Sequence, residues 1–495
     1  MIATRIEERA RAFQRSGDLE EVKRRREEGQ VELRKQKRSE QVAKRRALLP
    51  SSSVPLTVQG LPGLVHRVRT GAEVEEAVRE IATILAGEEA PLMEVVGLGA
   101  IPLLVGLLEA EEGVATSAAW ALNNLSAGPS EATAAILHTQ SLPVLCQVLD
   151  RPNAPLVDHC ICTLANICGD SVANRDLVIS QGVPDKVFNL LRAQQDQDIA
   201  FVDNMTWLIS QFFRGPLPAD SLVERAIALS PYLLSSAHTG IVSNCCWMLA
   251  YMTDLGTPKW LELVMNLGIA PRLIDLTQSH KDCERIPALR TVGNVLVGED
   301  RYVQTLLSLG ILDKLMIMVS NRKREIRKEA IWCCSNIAGG SKDQEKAIIL
   351  HSGFSLLVTN MSDQDQEIRK EAVFCIANLA KSPDSESLSR LLAYNVLEAL
   401  VQVLRIPEPE TLLVALEAIS RMLRAAGVSS ATKAANEVSL RFEEMGGITV
   451  LESLQRHHNI LIYEKAVEMM SEFYGFEDSA ERIEEGVPQG GFQFS

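Results

Sequence analysis

Ala118-Ala119-Trp120-Ala121-Leu122-Asn123-Asn124-Leu125-Ser126-Ala127-Gly128, AAWALNNLSAG, decides the fold, because the chain repeats its pattern six more times. The later versions read CICTLANICGD, MTWLISQFFRG, CCWMLAYMTDL, LRTVGNVLVGE, AIWCCSNIAGG and AVFCIANLAKS. Their aligned anchors are Asn124, Asn166, Gln211, Tyr251, Asn294, Asn336 and Asn378, spaced 42, 45, 40, 43, 42 and 42 residues apart. Apolar residues recur at i, i+3 and i+4 within each phrase, the period of a helix with one buried face.

A second phrase keeps the same beat: an apolar stretch, a Gly or small polar residue, then more apolar residues. It reads VVGLGAIPLLVGLL at Gly99, LHTQSLPVLCQVL at Ser141, VISQGVPDKVFNLL at Gly182 and VMNLGIAPRLIDL at Gly268. It returns as LLSLGILDKLMIM at Gly310, ILHSGFSLLVTNM at Gly353, LLAYNVLEALVQVL at Asn395 and FEEMGGITVLESL at Gly446. The long interval from Gly182 to Gly268 hides a degenerate copy near SPYLLSSA, and an insertion around SSATKAANEV lengthens the last one. The Gly is expected to end a helix in left-handed backbone, where a Cβ is unwelcome. A helical period of about 40–47 residues is that of armadillo and HEAT repeats, whose units bury their apolar faces on one another. The expected fold is all-α: a right-handed superhelical α-solenoid of about ten armadillo repeats over residues 56–475.

Charge divides the chain. Residues 1–50 hold 15 Lys and Arg against 9 Asp and Glu, a local +6, and the remainder holds 35 against 55, a local −20. The basic part includes VELRKQKRSEQVAKRR at residues 31–46, and opposite charges on one chain can meet each other. Glu7, Glu8, Asp18 and Glu20 interrupt the Arg-rich start, which argues against a mitochondrial presequence. No apolar run approaches the roughly 18 residues of a membrane-spanning helix, so a soluble protein without membrane insertion is expected. The ten cysteines include Cys160, Cys162, Cys168 and the pairs Cys245-Cys246 and Cys333-Cys334. They lack paired CxxC or HxxxH spacing, so buried thiols rather than a metal site are expected. There is no Gly-rich phosphate loop or nucleophile–base signature, so neither an enzyme nor a cofactor is expected.

In five copies an aromatic residue stands four positions before the anchor: Trp120/Asn124, Trp207/Gln211, Trp247/Tyr251, Trp332/Asn336 and Phe374/Asn378. Such pairs share one helix face. One reading makes the Asn residues a ladder that satisfies backbone groups between neighbouring repeats, with Trp as core. The other exposes Trp and Asn on a concave face. Packed helices lie about 8–10 Å apart, and an extended peptide advances about 3.3 Å per residue, so each repeat would address two or three peptide residues. Asn can donate to and accept from a peptide backbone. Parallel Trp rings leave slots for Lys or Arg stems, with a cation–π gain of about 0.5–2 kcal/mol. Asp170 and Asp254 would meet the charged heads. The implied ligand is an extended Lys/Arg-rich peptide.

This organisation resembles importin-α, the adaptor that recognises nuclear localisation signals. KRRREEGQVELRKQKRSEQVAKRR is similar to that family's importin-β-binding segment, and AAWALNNLSAG, LRTVGNVLVG and KEAIWCCSNIAGG are family-like repeat phrases. The resemblance implies a major signal-binding groove formed by Trp120, Asn124, Gly128, Thr133, Asn166, Asp170, Asn204, Trp207, Gln211 and Trp247, with Asp170 pairing with the key lysine. It implies a minor groove formed by Tyr251, Asp254, Arg290, Asn294, Trp332, Asn336, Glu371, Phe374 and Asn378. Cys162 and Phe374 stand where the family has Trp, Gln211 where it has Asn, and His159 and Asn244 where it has Gln and Asp. An altered groove follows, with each lost Trp wall costing about 1 kcal/mol.

The resemblance further implies that residues 1–55 are an autoinhibitory importin-β-binding segment and linker. Arg24, Arg25, Arg26, Leu33, Arg34, Lys35, Lys37 and Arg38 would contact importin-β, and Lys44, Arg45 and Arg46 would compete with cargo. A short tether gives millimolar effective concentration. The partners implied are importin-β, cargo proteins bearing basic signals, and a nuclear export receptor on C-terminal repeats that include YEKAVEMMSEF, with shuttling between cytoplasm and nucleus. Residues 476–495 read as a disordered tail. A nucleic-acid-binding arm is disfavoured by the Glu residues among the basic ones, and a solvated helical tail remains a reading of the same segment. An armadillo-type signalling or cytoskeletal scaffold is the alternative function.

Overall fold

The computed structural model describes residues 60–87, 90–193, 198–254, 257–427 and 437–475. The readings placed on residues 1–55, on most of the SSATKAANEV insertion and on residues 476–495 lie outside these. The described chain divides into two compact units, residues 60–294 and 295–475. Each is a stack of helices, with no strand among the described residues.

The AAWALNNLSAG phrase and its counterparts each form a helix. In the first unit these ladder helices are α1 (Val74–Leu85), α2 (Glu112–Ser126), α3 (Ala154–Asp170), α4 (Ile199–Gln211), α5 (Thr239–Met252) and α6 (Asp282–Leu296), the last counted through Asn294. In the second they are α7 (Arg324–Ala338), α8 (Gln366–Leu379), α9 (Pro409–Ala425) and α10 (Ile460–Tyr474). These ten helices among the described residues match the expected repeat number. Two shorter helices precede most of them, as Val172–Ser180 and Val183–Ala193 precede α4.

Ladder helices pack on their sequence neighbours: α1 to α5 in succession, and α7 to α10 in succession. Small side chains allow the approach. Ala115, Ala118, Ala119 and Ala121 of α2 are fully buried beside Leu122 and Leu125, and each such Leu contributes about 2–3 kcal/mol on burial. Helix starts carry their own signals. Asn153 accepts from the Leu156 N–H at the head of α3, and Asp365 accepts from Glu367 and Ile368 at the head of α8.

The expected left-handed break occurs at Gly99, Gly182, Gly268, Gly310 and Gly446, with φ between 67° and 79°, and at Asn395 with φ 58°. Two copies differ. At Ser141 the left-handed residue is Gln140, φ 53°, because Ser141 already begins the next helix and its hydroxyl donates to the Ile136 carbonyl behind it. Gly353 has φ −83°. A Cβ there would stand 3.1 Å from the Met316 Cβ, so this glycine serves close packing rather than backbone handedness. The degenerate SPYLLSSA copy has no positive-φ residue, and one helix, Asp220–Leu234 with Pro231 inside it, runs where two stand elsewhere.

Candidate functional site

The anchor residues tie one repeat to the one before it. Asn124 Nδ2 donates to the Ala82 carbonyl at 3.1 Å, across 42 residues. Asn294 Nδ2 donates to the Ala250 carbonyl at 2.9 Å and to Thr253 Oγ1 at 3.1 Å. Asn378 Nδ2 reaches Ser335 O at 3.1 Å and its Oγ at 3.3 Å. Asn166 bonds side chains instead, Ser126 Oγ at 3.1 Å and Asn123 Oδ1 at 3.4 Å. Gln211, one methylene longer, folds back to Ser210 Oγ on its own helix at 3.1 Å. The bridging arrangement of the ladder is therefore present at Asn124, Asn294 and Asn378, where the amide finds the partners a buried polar group requires.

The aromatic residues sit at two depths. Trp207 and Trp332 are buried, whereas Trp120, Trp247, Tyr251 and Phe374 are half-buried. Trp120 stacks on His159 with centroids 6.4 Å apart and planes at 19°, and Trp247 stacks on Tyr251 at 5.7 Å and 28°. The indole N–H groups of Trp120 and Trp247 are closed off from water and have no acceptor among the described residues. Cys162 is fully buried. The ring next to Trp120 is therefore that of His159, three residues before Cys162 on α3, and Cys162 itself belongs to the core.

Thr133 is buried, and Gly128 lies against Leu92, whose Cδ1 would be 2.6 Å from an added Cβ. Asp170 ends α3 half-buried and accepts from Ser130 Oγ at 2.7 Å and Asn174 Nδ2 at 3.2 Å. Asn204 donates to Asp158 Oδ1 at 2.8 Å. Asp254 and Arg290, also in the first unit, are half-buried, as is Asn336 on α7.

Sequence reasoning missed Asp158 and Asp203, two half-buried carboxylates on α3 and α4 that are each held by an Asn of the following ladder helix. Their only sequence signal is an acidic residue two positions ahead of each phrase.

The second unit handles charge differently. Lys328 pairs with Glu367 at 3.0 Å, Arg327 with Asp363 at 3.1 Å and Lys370 with Glu410 at 2.6 Å, while Arg324 pairs with Asp365 and Arg369 with Glu408. Glu371, half-buried on α8, has its carboxyl pushed up to about 7. Burial is the main cause, Glu329 and Glu367 add to it, and Lys328 and Lys370 oppose it.

Half-buried or buried aromatic and polar side chains thus recur on successive packed ladder helices within each unit. Residues 9–81 match the importin beta binding domain, residues 89–127 the armadillo/beta-catenin-like repeat and residues 436–489 the atypical Arm repeat. The first of these matches runs on into α1. Importin subunit alpha-1b of Oryza sativa subsp. japonica is 31% identical over 471 residues, covering 90% of this chain and 88% of that protein. Importin subunit alpha-4 of Arabidopsis thaliana is 28% identical, covering 100% of this chain and 99% of that one. The fold is similar to the crystal structure of an engineered protein, with a TM-score of 0.73 and 23% identity over 83% of this chain and 98% of that one. The chain belongs to the importin-α family, and its fold is the armadillo-repeat α-solenoid.

Proposed function

We propose that the protein is a nuclear import adaptor. It binds Lys/Arg-rich localisation signals along its ladder face and links them to importin-β through the basic N-terminal segment. The observation that carries this reading is the importin beta binding match over residues 9–81, set on the +6 segment directly ahead of the repeats. The first unit supplies the major site: Trp120, Trp207 and Trp247 flank Lys or Arg stems, while Asn124, Asn166, Asn204 and Gln211 address the peptide backbone. Asp170 receives the lysine head; its hydrogen-bonded partners are the Ser130 hydroxyl and the Asn174 amide. The second unit supplies minor-site residues Trp332, Asn336, Glu371, Phe374 and Asn378.

Arg24, Arg25, Arg26, Leu33, Arg34, Lys35, Lys37 and Arg38 engage importin-β, and Lys44-Arg45-Arg46 occupies the ladder face when importin-β is absent. Cargo binding and importin-β binding are then positively coupled, because both oppose the same self-contact. Return of the N-terminal segment in the nucleus helps expel cargo, and an export receptor on the C-terminal repeats returns the adaptor to the cytoplasm. The role is one of binding rather than catalysis.

The test is fluorescence polarisation with a labelled five-lysine peptide, run with and without importin-β. Binding that strengthens when importin-β is added supports the adaptor reading. Absence of peptide binding in both conditions overturns it, and capture of acidic or phosphorylated peptides instead identifies a scaffold.

A further inference from the structure

The carboxylate of Asp203 is fixed in place by two residues of the next ladder helix. Asn244 Nδ2 lies 2.8 Å from Asp203 Oδ1, 3.1 Å from the Asp203 carbonyl oxygen and 3.2 Å from Thr206 Oγ1, so one amide grips α4 at three points. Asn244 is itself buried. One turn earlier on α5, Gly240 leaves the space that the carboxylate fills. A Cβ built there would stand 2.4 Å from both carboxylate oxygens. Asp203 nonetheless remains half-buried rather than enclosed.

Its position relative to the aromatic ladder follows from helical geometry. Trp207 is four residues on from Asp203 along α4, and Trp247 is three on from Asn244 along α5, so all four share the ladder face. An amide anchor supplies directional hydrogen bonds without a positive charge. The site therefore sets a fixed carboxylate on the face that carries the half-buried Trp247 ring, which suits a long aliphatic stem ending in a cation.

We infer that Asp203 is a specificity-determining residue of the peptide site, selecting a Lys or Arg at one defined position of the bound segment, with Asn244 and Gly240 as its positioning residues. This rests on the peptide-binding reading above. Asp203 reads one side chain, so its effect is confined to one position of the ligand. A general acidic field would instead weaken every position alike.

The experiment uses the full-length chain with importin-β present and a set of five-lysine peptides, each with one lysine replaced by norleucine, titrated by fluorescence polarisation. Asp203→Asn, which keeps the size and hydrogen bonding of the side chain, is expected to lower affinity for the unsubstituted peptide roughly tenfold. That loss should vanish for the single peptide whose norleucine removes the matching cation. Gly240→Ala retains the charge but displaces the carboxylate, and should give a smaller loss at the same position. Equal losses at all five positions, or none at any, overturn the assignment while leaving peptide binding intact. Failure of the unaltered protein to bind any of the peptides overturns both the assignment and the peptide-binding reading. Circular dichroism identifies a variant that does not fold, in which case the other variant decides.

Discussion

Asn124 donates its side-chain amide to the backbone carbonyl of Ala82, 42 residues earlier, at 3.1 Å. The bond joins α2 to α1 where both are buried, so the repeat that carries the amide also satisfies a carbonyl of its neighbour. Asn124→Ala should destabilise the α1–α2 packing by about 1–2 kcal/mol, through the lost bond and an unpaired carbonyl. Hydrogen exchange is the suitable measurement, because a repeat array loses protection locally. Protection unchanged in α1 and α2 would contradict the bridging role.

Glu371 predicts a pH dependence. Its carboxyl is held near 7, above the ordinary 4.5, because burial disfavours the ionised form. The folded chain therefore binds this proton more tightly than the unfolded chain, and the penalty for ionising Glu371 grows as pH rises from about 4.5 to about 7. Glu371→Gln removes that penalty. Its stability advantage over the natural chain should widen from pH 5 to pH 7, flatten above that, and amount to about 1 kcal/mol after allowance for partial exposure. Thermal melts at pH 5, 6, 7 and 8 check this, and an advantage independent of pH would refute it.

Gly128 has no room for a side chain. Gly128→Val pushes against Leu92 and the Leu125 carbonyl, and should cost about 1–3 kcal/mol by overpacking. The shorter Leu92→Ala side chain combined with Gly128→Val should recover part of the loss. Additive losses in the double variant would show that the two residues do not share the space.

Cys162→Trp tests whether that position belongs to the binding face. Cys162 is fully buried in α3, so the larger ring must displace packed neighbours. The expected result is a lower melting temperature, by several degrees, with no gain in peptide affinity. Tighter peptide binding at unchanged stability would place the side chain on the ladder face instead.

Lys44→Ala combined with Arg45→Ala should tighten cargo-peptide binding when importin-β is absent and leave it unchanged when importin-β is present. Equal affinities without importin-β would remove self-competition from the proposed mechanism.

The repeat architecture was legible because its causes are local. Apolar spacing of i, i+3 and i+4, a break residue between helices and a beat of about 42 residues each act within a few turns of chain. The same local signals marked Ser141 for a break whose left-handed residue is Gln140, and expected left-handed backbone at Gly353, where φ is −83°. At Ser141 the hydroxyl was needed to serve Ile136, at Gly353 the glycine answers to Met316, and Asp220–Leu234 lacks a left-handed residue to stop it.

By itself, the sequence determined the helical repeat, its number of units and which positions recur on one face, because helical period and chain distance are properties of the polymer. Only the tertiary structure decided what those positions do to one another. It turned the amides of Asn124, Asn294 and Asn378 toward the preceding repeat, buried Cys162, set the His159 ring on Trp120 and clamped Asp203 between Asn244 and Gly240. Each of those outcomes depends on side chains some 40 residues apart meeting across two helices. Their relative height and rotation are set by the packing of whole helix faces, a quantity no short stretch of sequence contains.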